Sequence, residues 1–551
     1  MINKKDKLAI LILAGKVKLK NYSFKSHEYL FNIGNTLAFE RILKNLDIDS
    51  NVSIYIAVKE INKKLKHFEP FKNAKFIEVG ETKSILQTIL RSIKKISEED
   101  ISIIPITTIP ENSKIEKNSC YFGSKLIPKE NWSAILKSKN RKYDFLYRDE
   151  DNSYGLNSYP CTGRLASEKK FLIKSIKQLT NKQKTDILSL AEILITKYNH
   201  KIIFEEWFDM GHEATYIDTK LSAITSRFFN DVIFNKSNNT IIKSSSDFDK
   251  LRGEYFYYKN LSKKLKNFFP YVYSEYENKD FIKSIEMEFI PFPNLSEIFL
   301  FKNIGPNAWK RIISSISKVF CSFYKEDNTK IKIDASWLYS LKLSSRFKNT
   351  IQYINNSNND FLKIFLKKKI FLNNKFLICN LNKTYEKLHQ YLLNYESSIE
   401  HHIGHGDLCF NNILVDQISG SLKLIDPKAF ENHAHKTIGY VDANYDLAKL
   451  NHSFQYLYDS IVNNLYSIKI EKDNVDLRIY APSEYKLVNE LFNKILIKKN
   501  IDKNLLRVLT ANLFISMLPL HKDDENRMIC LAILGSVAFY DIDFNEIMVN
   551  I

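Results

Sequence analysis

The chain has 551 residues, 44% of them apolar and 26% charged, with a formal net charge of +18. That length exceeds one ordinary core and implies two or three domains, and the composition excludes a predominantly disordered protein. The basic excess runs along the whole chain together with abundant Ile, Asn and Lys, a compositional bias for which attraction of an anionic nucleotide is a sufficient use. Nucleic-acid binding would rest on that charge alone. Six cysteines, at 120, 161, 321, 379, 409 and 530, form no C-x-x-C and no His/Cys cluster, which reads as reduced thiols without a zinc site. Lys4, Lys5 and Lys7 before Leu8–Ala14 superficially match a secretory leader, but the apolar run is short and ends in Gly15-Lys16, as a buried first strand would. No apolar run approaches the ~20 residues of a membrane span, so a cytoplasmic protein is expected.

The strand Leu8–Leu13 leads through Ala14-Gly15 into a basic loop, then a helix around Thr36–Leu46 and a strand at Val52–Val58. Phe76–Val79 is a third strand, Lys83–Ile96 an amphipathic helix and Ile101–Ile106 a strand again. Strands alternating with helices argue for a parallel α/β sheet. With Trp207-Phe208-Asp209-Met210-Gly211-His212 further on, this segment resembles the sugar-1-phosphate nucleotidyltransferases. The resemblance implies a Rossmann-like α/β domain with a Gly-rich phosphate loop and two metal-binding aspartates. Gly15 matches, but Lys16-Val17-Lys18 replaces the further glycines and the arginine, and Thr107-Thr108 stands where the first metal Asp belongs. His27 lies near the place of the catalytic lysine, and Asp209 alone remains in a matching element. One carboxylate holds a divalent ion weakly. The segment therefore reads as a degenerate transferase domain, with Asp209 either a metal ligand or a cap of its own loop.

From about Tyr216 the pattern changes. Val232–Phe234, the turn-rich Asn235-Lys236-Ser237-Asn238-Asn239 and Thr240–Ile242 form a hairpin that ends in Lys243. Glu254 follows eleven residues later in a helical segment, Leu251–Leu261. In kinases a strand lysine neutralises the nucleotide phosphates and a helix glutamate fixes its position. The preceding Ser222-Ala223-Ile224-Thr225-Ser226 contains no glycine, so a phosphate-covering turn there would use hydroxyls and backbone N–H groups. Ile285–Ile290 reads as the strand entering a hinge, with the backbone near Glu288 and Ile290 expected to meet an adenine edge, before Pro291 and Pro293. Asn294–Glu400 is mostly helical by pattern, and Tyr339, Lys342 and Arg346 share one helix face. That basic stripe reads as a solvated face, the alternative being a seat for a phosphorylated or carboxylated acceptor.

The most informative stretch is His405-Gly406-Asp407-Leu408-Cys409-Phe410-Asn411-Asn412-Ile413-Leu414-Val415-Asp416, followed by Leu424-Ile425-Asp426. An Asp, an Asn five positions on and a second Asp after the next apolar run is the kinase spacing: Asp407 for the acceptor hydroxyl, Asn412 and Asp426 for Mg2+. Ile413–Val415 and Leu422–Ile425, joined by Gln417-Ile418-Ser419-Gly420, predict a hairpin that returns Asp426 beside Asn412; Asn411 is out of register. His405 reads as a structural member of the loop. Asp446 either braces that loop or caps its own helix. The polar island Leu520–Asp524 with Arg527 reads as an interhelical loop, the alternative being part of an acceptor pocket.

This signature resembles the aminoglycoside phosphotransferase and choline kinase group. With Cys409-Phe410, Ile425-Asp426-Pro427 and Tyr445–Leu450 it looks most like kinase domains encoded with bacterial capsule and lipo-oligosaccharide genes. The resemblance implies an α+β two-lobed, protein-kinase-like domain that uses ATP and Mg2+ on a small hydroxyl compound. The expected division is residues 1–215 for the nucleotidyltransferase-like domain, 216–290 for a small lobe and 291–551 for a large helical lobe. The expected activity is phosphorylation of a sugar, polyol or amino alcohol for surface polysaccharide. Two alternatives remain: a bifunctional kinase and nucleotidyltransferase, and a non-catalytic nucleotide-binding scaffold. Oligomeric state is not legible.

Overall fold

The structure is a computed structural model. It describes residues 7–15, 28–48, 51–128, 132–137, 143–148, 157–180, 183, 186–212, 215–216, 219, 230–235, 237–278, 281–325, 334–429 and 438–550. Two compact units emerge, Met1–Ala223 and Ile224–Ile551. Calls on Lys16-Val17-Lys18, His27 and Ser222–Ser226 lie outside the described residues.

In the first unit the opening strand Leu8–Leu13 lies between Ser53–Val58 and Asp100–Pro105, parallel to both, and Ala74–Glu78 continues the parallel order. Ala9, Ile10, Leu11 and Ile12 are all fully buried, which explains why this strand reads as an unbroken apolar run. A strand covered on both faces has no solvated side to mark with alternating polar residues. The expected helix Lys83–Ile96 is shorter, Ile85–Ile93, because Ser84 caps it by accepting from the Gln87 amide at 3.2 Å. The long strand Asn157–Glu168 runs antiparallel to Asp100–Pro105, which makes the expected parallel sheet a mixed one.

The second unit begins with an antiparallel sheet in the order Asn230–Asn235, Thr240–Ser245, Phe281–Glu288, Val272–Asn278. The helix Phe248–Asn260 follows its second strand, and Leu251, Glu254, Tyr255, Tyr257 and Tyr258 are its buried face. Beyond residue 294 the unit is mainly helical. Ser340–Asn356, Ala443–Phe454, Lys503–Met517 and Glu525–Tyr540 are long helices, and Ile413–Val415 with Leu422–Leu424 makes a short hairpin. Among the described residues, no helix is long and apolar enough to cross a membrane.

Candidate active site

The hairpin forms in the expected register, with Ile413 opposite Leu424 and Val415 opposite Leu422. The Ile425 amide then donates to the Asn412 carbonyl at 3.0 Å, so the chain reaches Asp426 directly beside Asn412. Asp426 itself has φ 56°, a left-handed backbone that Asp tolerates better than most residues. That turn sends its carboxylate to Lys243, whose Nζ lies 2.5 Å from Asp426 Oδ1. The same ammonium donates to both oxygens of Glu254, at 2.8 and 2.7 Å, and Tyr258 donates to Glu254 at 3.3 Å. Three predicted residues from a strand, a helix and a distant hairpin thus meet at one nitrogen. Burial alone would discharge Lys243, but the Glu254 and Asp426 carboxylates raise its pKa and hold it as a cation.

Asn412 is 2% exposed, and its Nδ2 donates to the Asp407 carbonyl at 2.9 Å and to Asp407 Oδ2 at 3.3 Å. Both partners are acceptors, which orients the amide. Its Oδ1 is then buried with no hydrogen-bond partner among the described residues. A buried carbonyl left without a donor is costly unless a cation meets it. Oxygen donors from Asn412 and Asp426 suit a hard divalent ion such as Mg2+. Among the described residues no group of three His, Cys, Asp or Glu side chains is placed to hold a metal. An Asn-plus-Asp pair falls outside such a group, and nucleotide phosphates supply further oxygens in kinase sites.

Asp407 is 8% exposed and held by two cations that the sequence reading assigned no role. Lys428 donates to Oδ2 at 2.7 Å, and Lys449 lies 3.0 Å from Oδ1. Burial pushes the Asp407 carboxyl up, but the two ammonium groups outweigh it and keep the pKa well below the usual carboxylate range. Asp407 is therefore an anion, suited to accepting a hydrogen bond from a substrate hydroxyl. The signal for Lys428 was its position two residues after Asp426. Lys449 sits three after Asp446 on a helix face that gives no hint of what it meets.

The loop bearing Asp407 is fixed from beneath. Asp446 accepts the His405 amide at 2.6 Å and the Gly406 amide at 2.9 Å, so of its two readings the brace is the one realised. Asp442 is the helix cap instead, accepting from the Asn444 amide at 2.9 Å. Burial outweighs those hydrogen bonds and pushes Asp446 up to about 7. The His405 carbonyl accepts from both Lys428 and Ala429 amides, at 2.7 and 3.1 Å, which brings Lys428 beside the loop. Gly406, at φ 79°, leaves no room for a side chain there: a Cβ would stand 2.5 Å from the Ala429 nitrogen. His405 Nδ1 accepts from the Asp407 amide at 3.3 Å, and burial lowers the ring to about 4, so it is a neutral structural group.

The Glu288 amide donates to the Tyr271 carbonyl at 2.7 Å, and its carboxylate accepts from the Tyr271 amide at 3.1 Å. Glu288 is thus committed to sheet pairing, while Ile290, two residues on, is 8% exposed. Lys342 and Arg346 are not on a solvated face. They line a cavity of about 250 Å³ that also holds Asp407, Asn412, Lys428 and Lys449. Leu520 of the polar island lines it too, whereas Asp524 caps the next helix by accepting from the Arg527 amide at 3.0 Å.

In the first unit Asp209 stands opposite Thr108 on paired strands. Its Oδ1 accepts from the Gly211 amide at 3.2 Å. Its Oδ2 accepts from the His212 amide at 3.1 Å and from the Thr215 hydroxyl, and lies 2.9 Å from His212 Nδ1. Of the two readings of this residue, the loop-capping carboxylate is the one the geometry displays.

No family model matches the chain, and no curated protein matches it. Solved structures similar to it include the following. A structure described as a glucose-1-phosphate thymidylyltransferase from Bacillus anthracis has a TM-score of 0.32 and 15% identity, over 40% of this chain and 97% of that one. A UDP-glucose pyrophosphorylase has a TM-score of 0.31 and 9% identity, over 39% of this chain and 97% of that one. Choline kinase from Cryptosporidium parvum has a TM-score of 0.32 and 12% identity, over 58% of this chain and 86% of that one. The chain is thus similar, at low identity, to sugar nucleotidyltransferases and to a choline kinase.

Proposed function

We propose that the chain is an ATP-dependent phosphotransferase acting on a hydroxyl of a small molecule, a sugar, polyol or amino alcohol, in surface polysaccharide biosynthesis. In this reading residues 216–290 and 291–551 form the two lobes of the kinase, and 1–215 is a transferase-like domain without its own chemistry. The observation that carries the proposal is the single ammonium of Lys243 shared between Glu254 and Asp426, with Asn412, whose Oδ1 has no partner among the described residues, pairing through its carbonyl with the Ile425 amide next to Asp426.

Lys243 would lie against the nucleotide phosphates, and Glu254 keeps it extended toward them. Asn412 and Asp426 would hold Mg2+, which when bound neutralises charge across the β- and γ-phosphates. The backbone at Ile290 would meet the adenine edge, since the Glu288 amide is taken by Tyr271. Asp407 accepts a hydrogen bond from the acceptor hydroxyl and aims its oxygen at the γ-phosphorus. As that oxygen bonds to phosphorus, the bond to the β–γ bridging oxygen breaks and ADP leaves. The hydroxyl proton passes to Asp407 and on to water. Lys428 and Lys449, both at the Asp407 carboxylate, would offset negative charge on the transferred group, so that positioning and charge neutralisation would supply most of the acceleration.

The test is Asp407→Asn and Asp407→Ala, assayed for ATP-dependent phosphorylation of a small-alcohol and sugar panel, with circular dichroism as the fold control. Both variants should be inactive and folded; undiminished turnover in either sinks the assignment. A second reading, a bifunctional enzyme that also activates the phosphorylated product, needs a metal at Asp209 and would release pyrophosphate.

A further inference from the structure

The cavity above Asp407 is lined by four cations, Lys342, Arg346, Lys428 and Lys449, and by one carboxylate, that of Asp407. Lys428 and Lys449 are spent on that carboxylate. Lys342 and Arg346 are not: among the described residues neither has a carboxylate partner. Lys342 donates to the Tyr445 hydroxyl at 3.0 Å and lies 5.3 Å from the centre of that ring. Arg346 donates through Nη1 to the Ser516 carbonyl at 3.3 Å, which uses one of the several donors of its guanidinium. These neutral partners fix the direction of both side chains without cancelling their charge.

The helix Ser340–Asn356 that carries them also lines a second cavity of about 640 Å³, through Asn349, Gln352 and Asn356 among others. Arg346 and Leu520 belong to both walls, so the two spaces adjoin. From Asp407 outward the linings therefore offer a carboxylate for a hydroxyl, two cations without a carboxylate partner among the described residues, then side-chain amides and one further cation, Lys522. Amides hydrogen-bond hydroxyls and carry no charge of their own.

We propose that the acceptor is an alcohol bearing an anionic group, phosphate or carboxylate, seated on Lys342 and Arg346 while its hydroxyl faces Asp407. This deepens the phosphotransferase reading and rests on it for the identity of the site. A cationic amino alcohol without such a group would meet two like charges and is disfavoured. Guanidinium and ammonium groups at a cavity wall make charge-assisted hydrogen bonds to either anion, and the fork of Arg346 suits both geometries.

The experiment uses the full chain with a saturating non-hydrolysable ATP analogue and Mg2+, which closes the nucleotide site to competing anions. Glycerol 3-phosphate, glycerate, glycerol and choline are titrated by calorimetry into the wild type and into Lys342→Met/Arg346→Gln. The expected result is binding of glycerol 3-phosphate, glycerate or both, with the preference between them naming the anion, and none for glycerol or choline at the same concentration. The double variant should bind the anionic alcohols roughly tenfold to a hundredfold more weakly while its affinity for the analogue stays unchanged. Equal binding of glycerol or choline, no binding of either anionic alcohol, or undiminished binding in the double variant, overturns the proposal. Failure of the wild type to bind the analogue, with anion binding still lost in the double variant, overturns the kinase reading and leaves the anion seat standing.

Discussion

Asp209 and Asp407 are both buried aspartates that the sequence marks as candidates for chemistry, and their surroundings divide them. Asp209 spends its oxygens on donors within six residues: two amides, a hydroxyl and a histidine ring. Asp407 is met by Lys428 and Lys449 from further along the chain, and neighbouring Asn412 keeps an oxygen with no partner among the described residues. A carboxylate saturated by its own turn has little left for a ligand. One met by ammonium groups from distant parts of the chain stays ionised and keeps lone-pair capacity for a further donor. The contrast teaches that the number of polar contacts says less than whether they come from the residue's own turn or from distant parts of the chain.

The largest expected effect is at Asp407. Asp407→Asn keeps the shape but loses the charge, and kcat for phosphorylation should fall roughly 10²–10⁴-fold, read by ADP release with a coupled assay. Asp209→Asn should leave that rate within about twofold. Equal losses in the two variants would erase the distinction.

Next in size is Lys243→Met, which leaves Glu254 buried without its cation and should cost about 3 kcal/mol of stability as well as ATP affinity. Lys243→Met/Glu254→Met should recover most of the stability and none of the affinity, measured by urea unfolding and nucleotide titration. Recovery of binding in the double variant would show that Lys243 does not contact nucleotide.

A pH experiment addresses the brace. The folded protein holds Asp446 near 7, above its ordinary 3.8, so the folded state binds a proton that the unfolded chain has released between those values. The stability this gives is complete below about 4 and is lost as pH rises through 7. The melting-temperature gap between wild type and Asp446→Asn should therefore be widest at low pH and narrow toward pH 7. A gap that widens with pH contradicts this. The smallest effect belongs to Asp209→Asn itself, which should cost about 1 kcal/mol through its lost loop hydrogen bonds, seen as a modest drop in melting temperature.

Much of the site was legible because it is local. Asp407, Asn412 and Asp426 lie on one loop and hairpin whose register follows from alternation and a four-residue turn, and Lys243 with Glu254 span one strand and one helix. The parallel core of the first unit was equally readable, since a strand buried on both faces leaves an apolar run. The antiparallel strand Asn157–Glu168 was not, because its burial and partner depend on the strand it joins.

What the sequence alone determined is which residues could do chemistry within a short stretch of backbone, where covalent spacing limits the geometry. What only the tertiary structure decided is which distant cations face that stretch. Lys342 and Arg346 carry the 3.6-residue spacing of any helix face, and that period is the same whether the face meets water or a cavity. Their charge becomes specific only when packing places it beside Tyr445 and Ser516, a hundred and more residues away in the chain.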